Sequence, residues 1–287
     1  MKKLAFIYII LAGILWGTSG IFVHYLAPHG FTSLQMTFLR SVVSLICMAV
    51  YILISDRKLF KVKWGELILF AGSGLSFFLT ASCYYYSMQA TSISTAVVLM
   101  YTAPIFVVIY SVAFLGEKLS GIKLVSIICM ITGCGLVSGI IGGLRFDALG
   151  IAVGFLSGIA YSAYNILTKI EMSRKSNPLS ATLYCFLFAT VIGAFASNAI
   201  DVAEYLTLDI LPFVIAMGIC TCILPYFLYT LALKEIYAGT ATAMGIIEPM
   251  AATVFSVVLF SEPLEVISIL GIVLILGAVI ILSRNEC

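Results

Sequence analysis

Ten apolar runs, each long enough to cross a bilayer, limit what this chain can fold into: 4–26, 34–54, 66–88, 92–114, 121–141, 149–168, 179–200, 210–233, 238–260 and 264–282. A hydrocarbon core about 30 Å thick takes roughly 20 apolar residues per helical crossing. Backbone groups in lipid must be bonded within the segment or around a closed barrel, and these runs are twice the length of barrel strands. The expectation is an all-α integral membrane protein of ten transmembrane helices, with short connectors making successive helices antiparallel neighbours. Composition closes the alternative. Only 10% of the 287 residues are charged and 62% are hydrophobic, against about 25% charged in soluble domains, so a water-soluble enzyme is excluded. A net charge of +2 gives no basis for a nucleic-acid partner. The first run follows Lys2 and Lys3, but it is too long for a usual signal-peptide core and lacks a small-residue cleavage site, so it is expected to be retained.

The few charges orient the helices. Thirteen of the fifteen basic residues, from Lys2 and Lys3 through Arg57, Lys118, Lys169 and Lys234 to Arg284, fall on one side of the alternation. Arg145 stands alone on the other side, among Asp147, Asp201, Glu204, Asp209, Glu262 and Glu265. The bias of Lys and Arg toward cytoplasmic loops predicts a multi-pass cell-membrane (inner-membrane) protein with both termini in the cytoplasm. Seven of the eight cysteines lie inside apolar runs, where a thiol is a small hydrophobe. Cys220 and Cys222 have no zinc-ligand spacing around them. Neither a disulfide framework, a metal site nor a cofactor is expected.

The two halves repeat. An offset of 145 residues matches Thr95-Ala96 to Thr240-Ala241, Pro104 to Pro249, Ser111-Val112 to Ser256-Val257 and Glu117 to Glu262; an offset of 141 matches Gly13, Leu15 and Gly17 to Gly154, Leu156 and Gly158. Residues 1–144 and 145–287 are therefore expected to form one five-helix repeat each. An odd helix number turns the second copy upside down relative to the first. Inverted repeats are a transporter architecture, with the binding site near the bilayer midplane where the repeats meet.

These residues also resemble a known family. Trp16-Gly17-Thr18-Ser19 looks like the opening of the EamA family of the drug/metabolite transporter superfamily, and Arg40 within Phe38-Leu39-Arg40 is similar to its second-helix arginine. Thr102-Ala103-Pro104 through Gly116-Glu117, and Glu248-Pro249 through Ser261-Glu262, resemble its fourth- and ninth-helix motifs. Asp147 to Lys169, with Tyr161-Ser162-Ala163-Tyr164, resembles the start of its second repeat. Two positions depart from the pattern: His24 stands where many members have lysine, and Ser261 where they have glycine. The resemblance spans essentially the whole chain. It implies ten helices, two inverted five-helix repeats and transport of small solutes, often outward.

Helical spacing picks out faces that could line a path. The first helix aligns Gly13, Gly17, Gly20 and His24, and the sixth aligns Gly154, Gly158, Tyr161 and Asn165. The second presents Thr37, Arg40, Ser44 and Cys47; the third Ser73, Ser76, Thr80, Cys83 and Ser87; the ninth Ala241, Gly245, Glu248, Ala252 and Ser256. Small residues in membrane helices serve close packing more often than ligand contact. Ionisable residues inside a span are scarcer and mark function by default. Glu248 lies ten residues into its run, about 15 Å along the helix, where a carboxyl suits proton coupling or a cationic substrate group. A structural ion pair with Arg40 is the alternative, and Arg40 is also near enough to the outer end to snorkel. Of the adjacent Tyr84, Tyr85 and Tyr86, only Tyr85 or Tyr86 can share a lumen with Ser76 and Thr80; Tyr86 is the candidate retained. Pro104, Pro225 and Pro249 each remove an amide from the helical ladder, freeing the carbonyls of Met100, Thr221 and Gly245 and making these positions hinge candidates. Glu117 and Glu262 stand at helix ends, where a carboxylate stabilises the following N-terminus.

Intramembrane proteolysis is not expected, because no span holds an aspartate and no His-Glu-x-x-His motif is present. The function expected is a secondary transporter of small organic solutes, an exporter of amino acids or related metabolites by alternating access, possessing no cofactor and acting on a small molecule, with or without protons. A multidrug or cationic-compound efflux carrier is the alternative within the class, and a passive channel the alternative outside it.

Overall fold

The computed structural model describes residues 2–91, 93–114, 116, 118–137, 147–198, 202, 206–260 and 266–286. Its regular elements are helical. In chain order they are α1 (Lys2–Gly17), α2 (Ser19–Leu26), α3 (Ser33–Ser55), α4 (Trp64–Ala90), α5 (Ile93–Met100), α6 (Ala103–Phe114), α7 (Gly121–Val137), α8 (Ala148–Ser173) and α9 (Pro178–Ala196). They continue with α10 (Leu211–Gly218), a π-helical turn at Ile219–Ile223, α11 (Leu224–Leu233), α12 (Ala238–Met244), α13 (Ile247–Phe260) and α14 (Val266–Glu286). Seven described stretches are long and apolar enough to cross a membrane: Lys3–His29, Ser33–Ser55, Trp64–Ala90, Ala96–Phe114, Ala148–Ser173, Pro178–Ala196 and Leu211–Leu233. Two further apolar helices, Gly121–Leu136 and Ile269–Ile281, are shorter. Together with the α12–α13 stretch they occupy the ten runs read from the sequence. Glu117, Arg145, Glu204 and Glu262, and the boundary between 144 and 145, lie outside the described residues.

Local chemistry sets the helix starts. Thr32 and Gln35 form a reciprocal capping box on α3, with Gln35 Oε1 accepting from the Thr32 amide at 2.9 Å and Thr32 Oγ1 accepting from the Gln35 amide at 3.3 Å. Asp147 caps α8 through the Gly150 amide at 2.5 Å, and Asn177 caps α9, with Pro178 in its first turn. The sixth run was expected to end at residue 168, where polar residues begin. The helix instead continues to Ser173. Lys169 Nζ is drawn inward to donate to the carbonyls of Leu233 (2.9 Å) and Ile236 (2.7 Å), and Glu171 is buried with Ser73 of α4 donating to its carboxyl. Lys123, counted among the loop cations, is also buried, with Nζ 5.3 Å from the Tyr237 ring centroid.

Single helices bent at Pro104 and Pro249 are expected in the fourth and ninth runs. The structure breaks both. The α5–α6 stretch is interrupted at Tyr101–Thr102 and the α12–α13 stretch at Gly245–Ile246, so the two halves are discontinuous in corresponding places. Close packing serves each break. A Cβ added at Gly17 of α1 would lie 2.8 Å from Ala251 Cβ and 2.9 Å from the Ala252 amide nitrogen; one added at Gly158 of α8 would lie 2.9 Å from the Leu99 carbonyl oxygen and 3.1 Å from that of Met100. The first helix of each half thus lies directly against the broken helix of the other half. Helix α8 packs along α4, α3 and α4 pack on α9, and α1 runs between α11 and α13. α7 and α14 pair at the periphery.

Candidate functional site

The interrupted helices end around one internal cavity. Trp16 of α1, Arg40 of α3, Thr80, Tyr84 and Tyr85 of α4, and Tyr161, Tyr226 and Glu248 of α8, α11 and α13 line most of it. Its volume is about 30 Å³, which accommodates water and is far below the roughly 300–1,000 Å³ of small-molecule pockets. The structure therefore holds a contracted cavity, too small as it stands for an organic solute.

Glu248 reaches this cavity because its helix restarts at Ile247, one residue before it. The Tyr101 hydroxyl, from the matching break in the other half, lies 2.7 Å from Glu248 Oε2 and 2.7 Å from the Gly245 carbonyl oxygen. Each break supplies a group to the other half's part of the site. Arg40 is buried, 4% exposed, so it does not snorkel. Its Nη1 donates to the Tyr85 hydroxyl at 3.0 Å, and its guanidinium lies 4.9 Å from the Phe77 ring centroid and 5.4 Å from that of Tyr85. These rings attract the cation through their π faces. Arg40 Nε and Trp16 Nε1 are buried donors with no hydrogen-bond partner. Trp16 is held by the rings of Tyr226 (centroids 5.1 Å apart), Tyr229 (5.4 Å) and Tyr161 (6.5 Å).

Arg40 and Glu248 share the cavity and feel each other's field, yet no ion pair joins them among the described residues. The double exchange Arg40→Glu with Glu248→Arg is therefore expected not to restore expression lost in either single variant. The guanidinium would leave its place over Phe77 and Tyr85 and face Tyr101 instead. Recovery of monodisperse protein by the exchange, measured by size-exclusion chromatography, would show that the two act as a direct pair.

Of the residues singled out from the sequence, Arg40, Thr80, Tyr161 and Glu248 line the cavity, and Gly245 supplies its carbonyl to Tyr101. Asn165 sits behind the wall, donating to the Tyr161 carbonyl at 2.6 Å and accepting from the Tyr229 hydroxyl. Thr37 is fully buried on the Ser33 carbonyl at 2.8 Å, and Ser76 is buried without lining the cavity. Tyr86 is 41% exposed, whereas Tyr84 and Tyr85 face inward. His24 is exposed at the end of α2. Pro104 is second in α6 and Pro249 third in α13, each just after a break, where a missing amide is an orphan in any case. Pro225 instead lies inside the continuous Leu211–Leu233 stretch. Pro225 follows the π-helical turn, a defect frequent at functional sites.

Tyr101 was missed, although it falls beside the break at an offset of 145 residues; its own type and spacing do not mark it. Trp16 was noted only as part of a motif. Glu171 was missed because its helix was ended too early. Among the described residues no group of three or more His, Cys, Asp and Glu could hold a metal ion.

A multi-span helical protein with broken helices meeting at a small internal polar–aromatic cavity is a membrane transporter in its architecture, and comparison with known proteins agrees. The profile of the EamA-like transporter family matches twice, over residues 3–139 and 148–284, and the chain belongs to that family. It is 29% identical to an uncharacterized transporter of Clostridium kluyveri, over all of this chain and 95% of that one. It is 26% identical to one of Archaeoglobus fulgidus, over 96% and 95% of the two chains, and 23% identical to the uncharacterized transporter YwfM of Bacillus subtilis, over 96% and 93%. A protein of known crystal structure, 16% identical, shares the fold over 99% of both chains with a TM-score of 0.83.

Proposed function

We propose that this transporter is a secondary carrier that exports small zwitterionic solutes, amino acids or close relatives, by alternating access between two inverted five-helix repeats. The observation that carries this reading is the chemistry of the cavity: two buried donors without partners, Arg40 Nε and Trp16 Nε1, belong to residues that line it together with Glu248. A solute carboxylate suits the donors, since a planar guanidinium matches it. A solute ammonium suits Glu248, and the surrounding rings suit an apolar or aromatic side chain. The twofold family match, the odd helix number per half and the corresponding breaks support the inverted arrangement. Basic loops support termini in the cell's cytoplasm. Outward direction is inferred from the family resemblance.

Thermal shift on the purified protein tests the substrate class. Amino acids are expected to raise the melting temperature, while the matching amines, which lack the carboxylate, leave it unchanged. Equal stabilisation by the amines would favour the cationic-compound carrier and sink the zwitterion reading. Hits are then followed into liposomes, where saturable flux with counterflow is expected. An ohmic single-channel current would instead make the protein a channel.

Glu248 is proposed to couple protons to that flux. A phenol has one proton to donate, yet the Tyr101 hydroxyl sits 2.7 Å from two acceptors. A proton on Glu248 satisfies both contacts, because the carboxyl then donates to Tyr101 and Tyr101 donates to Gly245. Glu248→Gln keeps a group that bonds Tyr101, so folding and substrate-induced stabilisation are expected to persist while the pH dependence of flux disappears. Unaltered pH dependence in that variant would end the proton-coupling idea.

A further inference from the structure

A second acid is buried far from the cavity. Glu171 lies two residues before the end of α8, just ahead of Arg174 and Lys175, and it is 2% exposed. Its carboxyl accepts from the Ser73 hydroxyl of α4. Among the described residues no lysine or arginine acts on it: Lys169 donates to the carbonyls of Leu233 and Ile236, and Glu66 of α4 accepts from Ser176 (2.7 Å) and from the Lys63 amide (3.0 Å). The other groups within its field are the Tyr164 phenol on its own helix and the Cys185 thiol of α9. A buried carboxylate with one neutral donor and no counter-cation is poorly compensated; a carboxylic acid fits the place.

The face of α8 connects this acid to the centre. Thr168 stands three residues before Glu171 and Tyr164 four before Thr168, the spacing of one helical stripe. Thr168 is 2% exposed and its hydroxyl interacts with the Tyr164 phenol. The Tyr164 ring lies 5.3 Å, centroid to centroid, from Tyr226, and Tyr226 lines the cavity. We propose that Glu171 is a proton-binding site in the cytoplasmic half of the protein, connected to the central cavity along Thr168 and Tyr164. That it holds a proton rests on geometry alone; that the proton serves transport rests on the carrier reading above. The proton moves as H⁺ between the Glu171 carboxyl and water or a hydroxyl, with no other bond made or broken.

Infrared spectroscopy of the purified full-length protein at neutral pH tests this without any substrate. In Glu248→Gln protein a protonated-carboxyl band is expected, and it is lost when Glu171→Gln is added. Ser73→Ala is expected to move the same band to higher frequency, because a carbonyl that loses a donor absorbs higher; this arm stands even where Glu171→Gln fails to fold. Transfer into D₂O should shift the band, and Thr168→Val should slow that exchange by on the order of tenfold, about 1.4 kcal/mol of barrier. Absence of the band, or a band indifferent to Glu171→Gln and Ser73→Ala, would overturn the proton site. Exchange independent of Thr168 would overturn the connection to the cavity. A missing band in protein that is still stabilised by amino acids would sink Glu171 and leave the carrier reading standing.

Discussion

Gly158→Leu is expected to abolish recovery of folded, monodisperse protein, and Gly17→Leu to do the same. At Gly158 even a Cβ would lie 2.8 Å from Thr102 Oγ1 and 2.9 Å from the Leu99 carbonyl oxygen; at Gly17 it would meet the Ala252 amide nitrogen at 2.9 Å and the Glu248 carbonyl oxygen at 3.0 Å. Backbone atoms cannot rotate aside as the end of a side chain can. To admit the larger residue, α8 would have to leave the break at Tyr101–Thr102, or α1 the break at Gly245–Ile246, and the cavity wall would separate with them. Overpacking costs about 1–3 kcal/mol even in forgiving cores, so alanine at either position should lower the melting temperature measurably. Gly20 is the control, since nothing lies within 4 Å of its added Cβ and Gly20→Ala should not lower the melting temperature. Size-exclusion profiles and thermal melts of the variants decide the matter; normal behaviour of Gly158→Leu would mean that the two helices do not touch in this way.

Arg40→Met is the second large effect expected. Methionine fills much of the space of the arginine stem without its charge, so folded protein should be recovered. The charge-assisted bonds go. A hydrogen bond to a charged group is worth about 1.5–3 kcal/mol, so stabilisation by an amino acid in the thermal-shift assay should correspond to binding weaker by roughly ten- to a hundredfold. Arg40→Lys is expected to recover little, because a point charge cannot replace a planar fork stacked between two rings. Equal affinity in Arg40→Met would remove the carboxylate role from Arg40, whatever the solute proves to be.

The sequence shows its helices because lipid leaves few choices: apolar runs of one length separated by polar connectors admit almost nothing else. Glu248 and Arg40 are legible for the same reason, since two charges inside otherwise apolar runs stand out. Tyr84, Tyr85 and Tyr86 show where legibility stops. Successive residues turn by about 100° around a helix, so spacing limits how many of them can face one way but does not say which. α4 turns Tyr84 and Tyr85 inward and leaves Tyr86 out. Glu171 failed differently. Polar residues from Thr168 onward look like the end of a crossing, and only contact with Ser73 on another helix, together with the tethering of Lys169, keeps the helix going and buries the acid.

The prolines divide the same way. Their positions were plain, and so was their incompatibility with an unbroken ladder. Whether each bends a helix, starts a new one or follows a π-helical turn depends on what satisfies the freed carbonyls, and at Gly245 that is the hydroxyl of Tyr101 from the opposite half. Solvent preference and periodicity act residue by residue along the chain, so the helices and the rare internal charges could be read directly. The cavity depends on contacts between residues distant in the chain, such as Tyr101 with Glu248, 147 positions apart, and Gly158 with Leu99 and Met100 across the packed helices. Such contacts leave no local pattern, and only the packed helices decide them.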